Sequence, residues 1–376
     1  MKVSISSDNL KRMTSLMARS ADSGKISEIL SMVRIQADAE NNKIKMISTN
    51  ASVGQVITGS AEVEEAGDVL VSADFLAKTI SKMAGQTVDM QLRNDSLIVK
   101  SGSARFSLPI SNSLADYPNV EASFGPSQVR MPTEILVTMM NRTVVATAIN
   151  HNTPVLTGVY FEYDGMTLKL TSTDSTSLAH VTYDVEGDAF GQSVIVPAPS
   201  VKDLARLLSA YSPEYVELGA SENFFYARFD GVAFLSRVIE GQYPQYQPLL
   251  SQDEGSKLVV TTDIFKDMLD RSTLMRTTDA PVLVLESVEN KLKAQSQAST
   301  KGAFEEYCDL LDGSGTLEYP IGLNPTVLLR TINTIPKDTE SISLSFNGPL
   351  RPIVVKYESE VLSRDDFILM PLRLAG

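Results

Sequence analysis

Short apolar stretches, many of them alternating with polar residues, make up most of the chain. Examples are residues 97–99, 167–170 and 341–344, and turn dipeptides such as Asp164-Gly165 and Asp230-Gly231 separate such stretches. Alternation with a period of two puts every second side chain on the same face of a strand, and Asp-Gly is a common hairpin turn. The pattern therefore predicts a chain that is mostly antiparallel β-sheet, with a few helices between the strands.

Six segments have a different pattern, in which apolar residues three and four positions apart follow a residue that can cap a helix. The candidate starting residues are Asp8, Ser72, Thr133, Ser200, Thr262 and Asn324. Spacings of three and four place apolar side chains on one face of a helix. The last segment starts with Asn324-Pro325, which combines a preferred N-cap residue with proline at the first helical position. We predict a helix at each of the six segments.

The helix starts recur at a nearly constant interval. The first helices of three successive units begin near Asp8, Thr133 and Thr262, which are 125 and 129 residues apart, and the second helices recur at intervals of 125 and 126 residues. Each unit also closes on a strand led by phenylalanine. Three features in register indicate an internal repeat, the alternative being chance recurrence of a common α+β pattern. We predict an α+β fold of three repeated domains, each with two helices packed on antiparallel sheets, with the boundaries 1–122, 123–250 and 251–376.

The composition is that of a globular protein without covalent cross-links. Of the 376 residues, 43% are apolar, which is enough for a substantial core, and Cys308 is the only cysteine. One cysteine can form neither a disulfide framework nor a thiolate zinc cluster. No apolar run approaches the length of a membrane span, and the first residues lack the apolar segment of a signal peptide. We therefore expect a cytoplasmic protein.

The distribution of charge differs from its average. The chain has 33 Lys and Arg against 46 Asp and Glu, a formal net charge of −13, which at first argues against a nucleic-acid-binding protein. The six helical segments, however, hold 13 basic and 8 acidic residues, which leaves −18 for the rest of the chain. Lys78 with Lys82, and Lys202 with Arg206, are four positions apart and so share a helix face. These cations are either solvated surface charges or, if the helices line one surface, a site for phosphates.

The chain lacks the motifs of the common enzyme and cofactor classes. It has no phosphate-binding Gly-x-x-x-x-Gly-Lys-Ser/Thr loop and no Gly-x-Gly-x-x-Gly. The two histidines, His151 and His180, have no nucleophile motif beside them, and the Asp-x-Asp pattern of a cation site is absent. We therefore expect no catalytic residues, no metal and no cofactor. Two alternatives stay open: a hydrolase with a carboxylate pair that the sequence does not reveal, and a scaffold that binds only proteins.

Several strings along the chain are distinctive. They include Gly-Val-Tyr-Phe-Glu at 158–162, Leu-Lys-Leu-Thr-Ser-Thr-Asp at 168–174 and Gly-Gln-Tyr-Pro-Gln-Tyr at 241–246. The most specific is Met-Pro-Leu-Arg-Leu at 370–374. Together these strings resemble the bacterial sliding clamp family, the β subunits of DNA polymerase III. The resemblance covers the whole chain and agrees with the threefold repeat.

The resemblance implies a DNA sliding clamp, a homodimer whose six domains close head to tail into a ring with the helices lining the hole. Double-stranded DNA would pass through this hole without being read for sequence, because the basic helices would contact only phosphates. The ring would tether the replicative DNA polymerase so that synthesis becomes processive, without being an enzyme itself. The polymerase, the clamp loader and repair proteins would bind through short linear peptides.

The resemblance also implies roles for individual residues. Basic residues of the helices, and one in the loop after the first helix, would face the DNA: Lys11, Arg12, Lys25, Lys78, Lys82, Arg142, Lys202, Arg206, Lys266, Arg271 and Arg330. Residues of the first and third domains would form the dimer interface: Arg105, Phe106, Leu108, Leu274, Met275, Glu305 and Glu306. In this interface Arg105 would face the two glutamates.

A hydrophobic pocket between the second and third domains would bind the partner peptides. The residues that match the pocket of the family are Leu156, Thr173, Ser175, Thr176, Leu178, Pro244, Leu249, Asn324, Val327, Leu350, Pro352, Met370, Pro371, Leu372 and Arg373. Relatives usually have Gly-His-Arg after the Thr-Asp of this pocket, whereas this chain has Ser175-Thr176-Ser177. The substitution removes a basic wall and changes the peptide preference that the resemblance implies. The last two residues, Ala375 and Gly376, extend beyond the usual end and would lie at the pocket mouth.

Overall fold

The structure is a computed structural model that describes residues 1–22, 27–150, 152–251, 255–275, 282–296, 302–359 and 361–374. The helices in these residues are α1 (Ser7–Ser20), α2 (Ala73–Ser81), α3 (Thr133–Val144), α4 (Ala198–Tyr211), α5 (Gln247–Leu250), α6 (Thr262–Thr273) and α7 (Pro325–Ile332). All six predicted helices are confirmed, each beginning within two residues of its predicted start. Helix α5 is a single turn that the sequence pattern did not predict.

The strands account for most of the remaining regular structure. They are β1 (Lys2–Ser6), β2 (Met32–Asp38), β3 (Lys43–Thr49), β4 (Val53–Ser60), β5 (Glu62–Glu65), β6 (Gly67–Ser72), β7 (Thr87–Arg93), β8 (Ser96–Ser101), β9 (Ala104–Ser111), β10 (Val129–Pro132), β11 (Gly158–Tyr163), β12 (Thr167–Thr173), β13 (Ser177–Asp184), β14 (Val194–Pro197), β15 (Tyr215–Ala220), β16 (Phe224–Phe229), β17 (Val232–Arg237), β18 (Ser256–Thr261), β19 (Leu283–Val288), β20 (Lys291–Ser296), β21 (Glu305–Asp309), β22 (Ile321–Leu323), β23 (Ser341–Phe346), β24 (Ile353–Lys356) and β25 (Arg364–Leu369).

The strands form three sheets. A thirteen-stranded sheet has the order β10-β15-β16-β17-β4-β3-β2-β6-β9-β8-β7-β1-β5, an eight-stranded sheet the order β14-β11-β12-β13-β25-β24-β23-β18, and a four-stranded sheet the order β21-β20-β19-β22. The strand pairs whose register is resolved run antiparallel. The prediction of mostly antiparallel sheet is therefore confirmed.

The chain divides into two compact units that cut across the predicted second domain. The first unit comprises Met1–Thr133, Phe190–Val194 and Arg206–Val238, and the second comprises Glu134–Ala189, Ile195–Ala205 and Ile239–Gly376. The division follows the strand ladders, because β17 pairs with β4 and β13 pairs with β25. Both ladders join strands of neighbouring predicted domains. The domain boundaries inferred from the repeat stay a prediction.

In the first unit, helices α1 and α2 pack on each other through buried apolar faces. Leu10, Met13 and Met17 form the buried stripe of α1, which also contacts β3 and β4. Helix α2 begins after Ser72, whose side-chain oxygen accepts a hydrogen bond from the Phe75 backbone N–H. The spacing of apolar residues and the N-cap thus act as the sequence pattern predicts.

Tyr117 anchors the segment that follows β9. Its ring is buried in an apolar cluster with Ile47 and Leu70, and its hydroxyl lies 3.1 Å from the backbone carbonyl oxygens of both Met32 and Ile47. Its single hydrogen can donate to either carbonyl, so the side chain links β2 and β3. Nearby, a side-chain carbon added at Gly54 would come within 2.5 Å of Val120, so the segment packs directly on the backbone of β4.

In the second unit, the pairing of β13 with β25 makes one sheet out of strands from the second and third predicted domains. Leu178 lies opposite Ile368 in this ladder. Helices α6 and α7 pack together over a core that includes Phe265, Met268 and Leu328. The Asn324 side chain accepts a hydrogen bond from the Thr326 N–H at 3.0 Å, which confirms its predicted role as the N-cap of α7.

A polar layer lies in the same sheet, next to Leu178 and Ile368. His180 is buried, its Nδ1 lies 2.8 Å from the Thr171 hydroxyl, and its ring is 5.3 Å from that of Tyr246. Burial, together with the positive charges of Arg364 and Lys169, lowers the pKa of His180 from 6.5 to about 4. The histidine is therefore neutral in the native protein at pH 7.

In the described part of the chain, no helix is long and apolar enough to cross a membrane.

Replacing Tyr117 with phenylalanine tests the anchor on β2 and β3. The change leaves two backbone carbonyls without this donor, and we expect it to lower the free energy of unfolding by about 1–2 kcal/mol. Urea denaturation followed by circular dichroism measures the effect. The matched control is Tyr215→Phe, because the Tyr215 side chain is exposed. Equal midpoints for the two variants would contradict the assignment.

The neutral His180 makes stability depend on pH. Below pH 6.5 the unfolded chain takes up a proton at this imidazole, while the native protein resists protonation down to about pH 4. The stability present at pH 7 is therefore lost as pH falls through this window, by about 2 kcal/mol between pH 7 and pH 5. In His180→Gln this contribution should vanish, so urea midpoints at the two pH values should differ less than in the wild type. An unchanged difference would show that other groups carry the pH dependence.

Candidate nucleic-acid and peptide interfaces

Most cations predicted to face DNA lie on the solvent side of their helices, away from the apolar stripe. The exposed ones are Arg12, Lys78, Lys82, Lys202, Arg206 and Arg271, and the half-buried ones are Lys11, Lys266 and Arg330. Lys25 lies outside the described residues. The exposed Lys and Arg side chains of α1, α2 and α4 are therefore accessible to a polyanion.

Lys78 and Arg271 are among the exposed cations that have partners within the chain. Lys78 lies 2.6 Å from Asp74, one helical turn earlier. Arg271 binds Glu306 through two contacts, Nε–Oε2 at 2.9 Å and Nη2–Oε1 at 2.5 Å, and the carboxylate raises the pKa of Arg271. Exposed ion pairs contribute little to stability, so either cation can exchange its carboxylate for a phosphate.

Arg142 corrects the sequence prediction that it faces DNA. Its side chain is only 2% exposed, and its guanidinium forms a buried ion pair with Asp365, with Nη2–Oδ1 at 2.7 Å. The residue lies beside Met139 and Thr143, which are also buried in α3. Helix periodicity did not reveal this arrangement because the neutralising carboxylate lies 223 residues further along the chain.

The residues predicted at the dimer interface fall into exposed and buried groups. Phe106 is 39% exposed and Leu274 is 72% exposed. Arg105 is exposed and Met275 is half-buried. Leu108 corrects the prediction, because it is 2% exposed and lies opposite Leu97 in the ladder of β8 with β9. It shares a strand face with Phe106 but belongs to the core of the first unit.

Two strands near these side chains are edges within the described residues. Residues 104–109 of β9 pair with β8 on one side, while β6 reaches only residues 110 and 111 on the other. Strand β21 is the outer strand of the four-stranded sheet. Its Glu305 forms an ion pair with Lys293 at 2.9 Å and its Glu306 binds Arg271. Each edge leaves backbone donors and acceptors that a second chain can pair with.

The floor of the predicted pocket is an apolar cluster in the second unit. Among the residues predicted from the sequence, Leu156 and Leu178 are buried members of this cluster and Leu249 is half-buried against it. Leu350 and Met370 are 51% and 39% exposed. A packed apolar cluster and exposed apolar side chains are the two features that a groove for an apolar ligand combines.

The segment after β25 is fixed on both sides by backbone hydrogen bonds. The Met370 N–H donates to the Thr176 carbonyl at 2.8 Å, and the Leu372 N–H donates to the Gly322 carbonyl at 2.8 Å. A side-chain carbon at residue 322 would lie 2.8 Å from the Leu372 carbonyl oxygen, so only glycine allows this approach. Met370 is thereby held beside the 173–177 loop, and Leu372 beside the strand that leads into Asn324.

The 173–177 loop is organised by one carboxylate. Asp174 Oδ1 accepts hydrogen bonds from the N–H and hydroxyl groups of both Thr176 and Ser177. These bonds support Ser175 in the left-handed backbone region, at φ 72°. The loop thus contributes hydroxyl groups at the position where relatives have a basic wall.

A cation from another element lies next to this loop. Arg330 Nη2 of α7 is 3.6 Å from Asp174 Oδ2, and its Nε and Nη2 make no hydrogen bond to any described residue. Val327 lies one turn earlier on the same helix and is half-buried. Arg330 therefore lies near the predicted pocket. The sequence predicted a DNA contact for this residue and not the ion pair with Asp174.

The remaining predicted pocket residues have varied exposure. Pro244, Thr176 and Arg373 are exposed, Pro352 is buried, and Thr173, Asn324, Pro371 and Leu372 are half-buried. Residues 375 and 376 lie outside the described residues.

Sequence reasoning missed six buried members of the floor, namely Ala148, Val155, Ile195, Tyr243, Tyr246 and Ile368. Tyr243 stacks on Tyr160 at 4.7 Å between ring centroids, and Tyr246 donates a short hydrogen bond to Glu162. Both tyrosines belong to the distinctive Gly-Gln-Tyr-Pro-Gln-Tyr string, which could have directed attention to them.

In the part of the chain that the structure describes, no three His, Cys, Asp or Glu side chains are placed to hold a metal ion.

Comparison with known proteins covers nearly the whole chain. Residues 1–121, 130–245 and 247–372 match the N-terminal, central and C-terminal domains of the DNA polymerase III beta subunit, respectively. The beta sliding clamp of Bacillus subtilis is 25% identical over 371 residues, covering 95% of this chain and 96% of the relative. That of Streptomyces coelicolor is 26% identical over 386 aligned positions and covers both chains completely.

Solved structures share the fold at lower identity. The beta subunit of Streptococcus pyogenes superposes with a TM-score of 0.92 at 20% identity, and a Pseudomonas aeruginosa sliding clamp bound to griselimycin superposes with a TM-score of 0.90 at 23% identity. Each comparison covers 100% of both chains. The architecture is thus the three-domain α+β clamp fold. With all three domains matched in order, the chain belongs to the DNA polymerase III beta subunit family.

Proposed function

We propose that this chain is a DNA sliding clamp, which encircles double-stranded DNA as a homodimeric ring and tethers the replicative polymerase. The observation that carries the proposal is the ordered match of all three domains to the family. It is a non-catalytic processivity factor and needs no cofactor for this role. The alternatives of a hydrolase or a protein-only scaffold are not favoured. We place it in the cytoplasm, where chromosomal DNA is replicated.

The proposed DNA contact rests on the charge distribution. The chain has a net charge of −13, yet Arg12, Lys78, Lys82, Lys202 and Arg206 project from helices into solvent. Lysine and arginine bind phosphates without reading bases, so contacts of this kind allow a protein to slide along DNA. A ring needs no tight contact, because its linkage to DNA is topological.

The proposed ring closes through the two edge strands. The free edge of β9 carries Phe106. Helix α6 ends beside β21, and the exposed Leu274 follows it directly. A contact between unlike surfaces generates a ring when the rotation closes. Arg105 of one chain would meet Glu305 and Glu306 of the next, where Lys293 and Arg271 are already paired with these acids. Such rim charges mainly determine the register of the contact.

The proposed peptide pocket uses the apolar floor and the segment after β25. Leu178 and Leu156 are packed in the buried apolar cluster, while Met370 and Leu350 are exposed. Methionine adapts its shape to different apolar ligands. The polymerase, the clamp loader and repair proteins would compete for this groove with short peptides that carry apolar anchor residues.

The ring can be tested by its retention on DNA. Loaded by the clamp loader of the same genome, the protein should stay on a nicked circular plasmid during gel filtration and be released when the plasmid is linearised. Phe106→Asp with Leu274→Asp places carboxylates in the proposed interface and should yield a folded monomer that is not retained. Equal release from circular and linear DNA, or a wild-type monomer, would contradict the clamp proposal.

The pocket can be tested with Met370→Ala combined with Leu372→Ala. Loss of two central apolar anchors should weaken binding of the polymerase catalytic subunit of the same genome by at least about tenfold in surface plasmon resonance. Retention on circular DNA should be unchanged. The matched control is Met166→Ala with Val361→Ala, which truncates two exposed apolar residues outside the pocket. Wild-type affinity in the pocket variant would refute the pocket assignment.

A further inference from the structure

Arg142 uses its guanidinium to join three elements of the second unit. From α3, its Nε lies 2.8 Å from Asp365 Oδ2 and its Nη2 lies 2.7 Å from Asp365 Oδ1, a two-pronged contact with β25. Its Nη1 donates to the Thr334 hydroxyl at 2.6 Å and to the Thr331 carbonyl at 3.2 Å, at the end of α7. One side chain in the part that matches the central domain thus holds two elements of the C-terminal domain.

These two elements are the ones that supply the C-terminal domain's share of the pocket. Strand β25 continues directly into Met370 and Leu372, and α7 begins at Pro325, directly after its N-cap Asn324, and carries Val327. Asp365 is five residues before Met370, on the order of 17 Å along an extended strand. The ion pair therefore lies far from a bound peptide, but the strand that carries Asp365 runs directly into the segment that would form the groove.

The buried surroundings of the Arg142–Asp365 pair restrict the geometry of this contact. Arg142 and Asp365 are each 2% exposed, and the Tyr357 ring lies 5.2 Å from the guanidinium carbon. Apolar side chains can pack in several arrangements, whereas a forked donor on a carboxylate has one. Burying such a pair is a poor way to gain stability, but it can select one arrangement of the elements around it.

A second ion pair joins the parts that match the central and C-terminal domains. Here the arginine belongs to the C-terminal domain and the aspartate to the central domain. Arg330 belongs to α7, and its partner Asp174 belongs to the central-domain loop beside Met370. At 3.6 Å, with both side chains partly exposed, this contact is looser than that of Arg142. Of the two ion pairs, that of Arg142 is therefore the closer and more buried contact across this junction.

We propose that Arg142 is a positioning residue of the peptide site. Paired with Asp365, it holds β25 and α7 in the arrangement in which the groove exists before a partner arrives. This inference rests on the proposed peptide-binding function. A partner that finds a preformed groove binds more tightly than one that must select a minor conformation, because the apparent dissociation constant scales with the populated fraction.

The test replaces the pair by apolar residues of similar size, in Arg142→Met with Asp365→Leu. This double variant leaves no unpaired charge, so we expect a folded dimer that is retained on circular DNA. Its affinity for the polymerase catalytic subunit should fall about tenfold. Hydrogen exchange at the amides of Met370 and Leu372 should become faster, because both report directly on the position of the groove wall. A purely stabilising role would alter the unfolding midpoint without changing either quantity.

The matched control is Arg34→Met with Asp68→Leu, which removes a similar two-pronged pair in the first unit. In that pair Nε and Nη2 of Arg34 lie 3.0 and 2.6 Å from the carboxylate oxygens. It should leave polymerase affinity and the exchange of both amides unchanged. Equal losses in the control and in the Arg142 variant would overturn the inference.

A single substitution decides the matter if the double variant does not fold. Arg142→Lys keeps the charge, but an ammonium group cannot reach Asp365, Thr331 and Thr334 together. As in the double variant, polymerase affinity should therefore fall and hydrogen exchange at Met370 and Leu372 should become faster. Polymerase binding within twofold of wild type, with unchanged exchange at Met370 and Leu372, overturns the inference while leaving the clamp function intact. Failure of the wild-type protein to bind polymerase would instead refute the proposed function.

Discussion

The ladder between β13 and β25 is the constraint on which the proposed peptide site depends. It pairs six residues of each strand, from Ser177 with Leu369 to Thr182 with Arg364. Because side chains alternate along a strand, this register sends Phe367 and Leu369 into the core under the helices and Ile368 into the pocket floor. A slip of one residue would reverse both sets. The same alternation turns Asp365 toward Arg142 and places the next carboxylate opposite the neutral His180.

A ladder fixes the register of two strands, but it leaves some freedom of twist and of helix position. Charged contacts with one favourable geometry remove part of that freedom. The forked contact of Arg142 with Asp365 acts where the sheet meets α3 and α7, on the face opposite His180 and Tyr246. The sheet thus has a polar contact on each face, Arg142 with Asp365 on one and His180 with Tyr246 on the other. The proposed apolar groove lies at the end of the sheet.

The sequence predicted what depends on neighbouring residues. Helix starts were predicted within two residues, because caps such as Ser72 and Asn324 and the apolar spacing behind them act locally. Resemblance to the clamp family supplied pocket residues that lie on separate strands and helices, which periodicity alone could not bring together. Three of them, Leu156, Leu178 and Leu249, belong to one apolar cluster.

The errors share a physical cause. Arg142 and Leu108 were interpreted from their own element, one as a basic helix residue and one as an apolar residue beside Phe106. Their burial is decided by other segments of the chain, which are Asp365, 223 residues away, for Arg142 and the paired strand with Leu97 for Leu108. A charge on a helix predicts solvent exposure only when no opposite charge is folded against it, and that condition cannot be read from local pattern.

The loop at 173–177 shows how one substitution in a site changes the role of its neighbours. Hydroxyl side chains cannot supply the positive charge of the basic wall usual in the family, but they saturate Asp174 Oδ1 with four hydrogen bonds and so fix the loop. The other oxygen, Oδ2, is directed toward Arg330, whose Nε and Nη2 make no hydrogen bond to the described residues. The positive charge of Arg330 at this edge of the proposed groove is therefore partly neutralised by the loop. We expect peptide recognition to depend more on apolar anchors than on this cation, and binding to be correspondingly insensitive to salt.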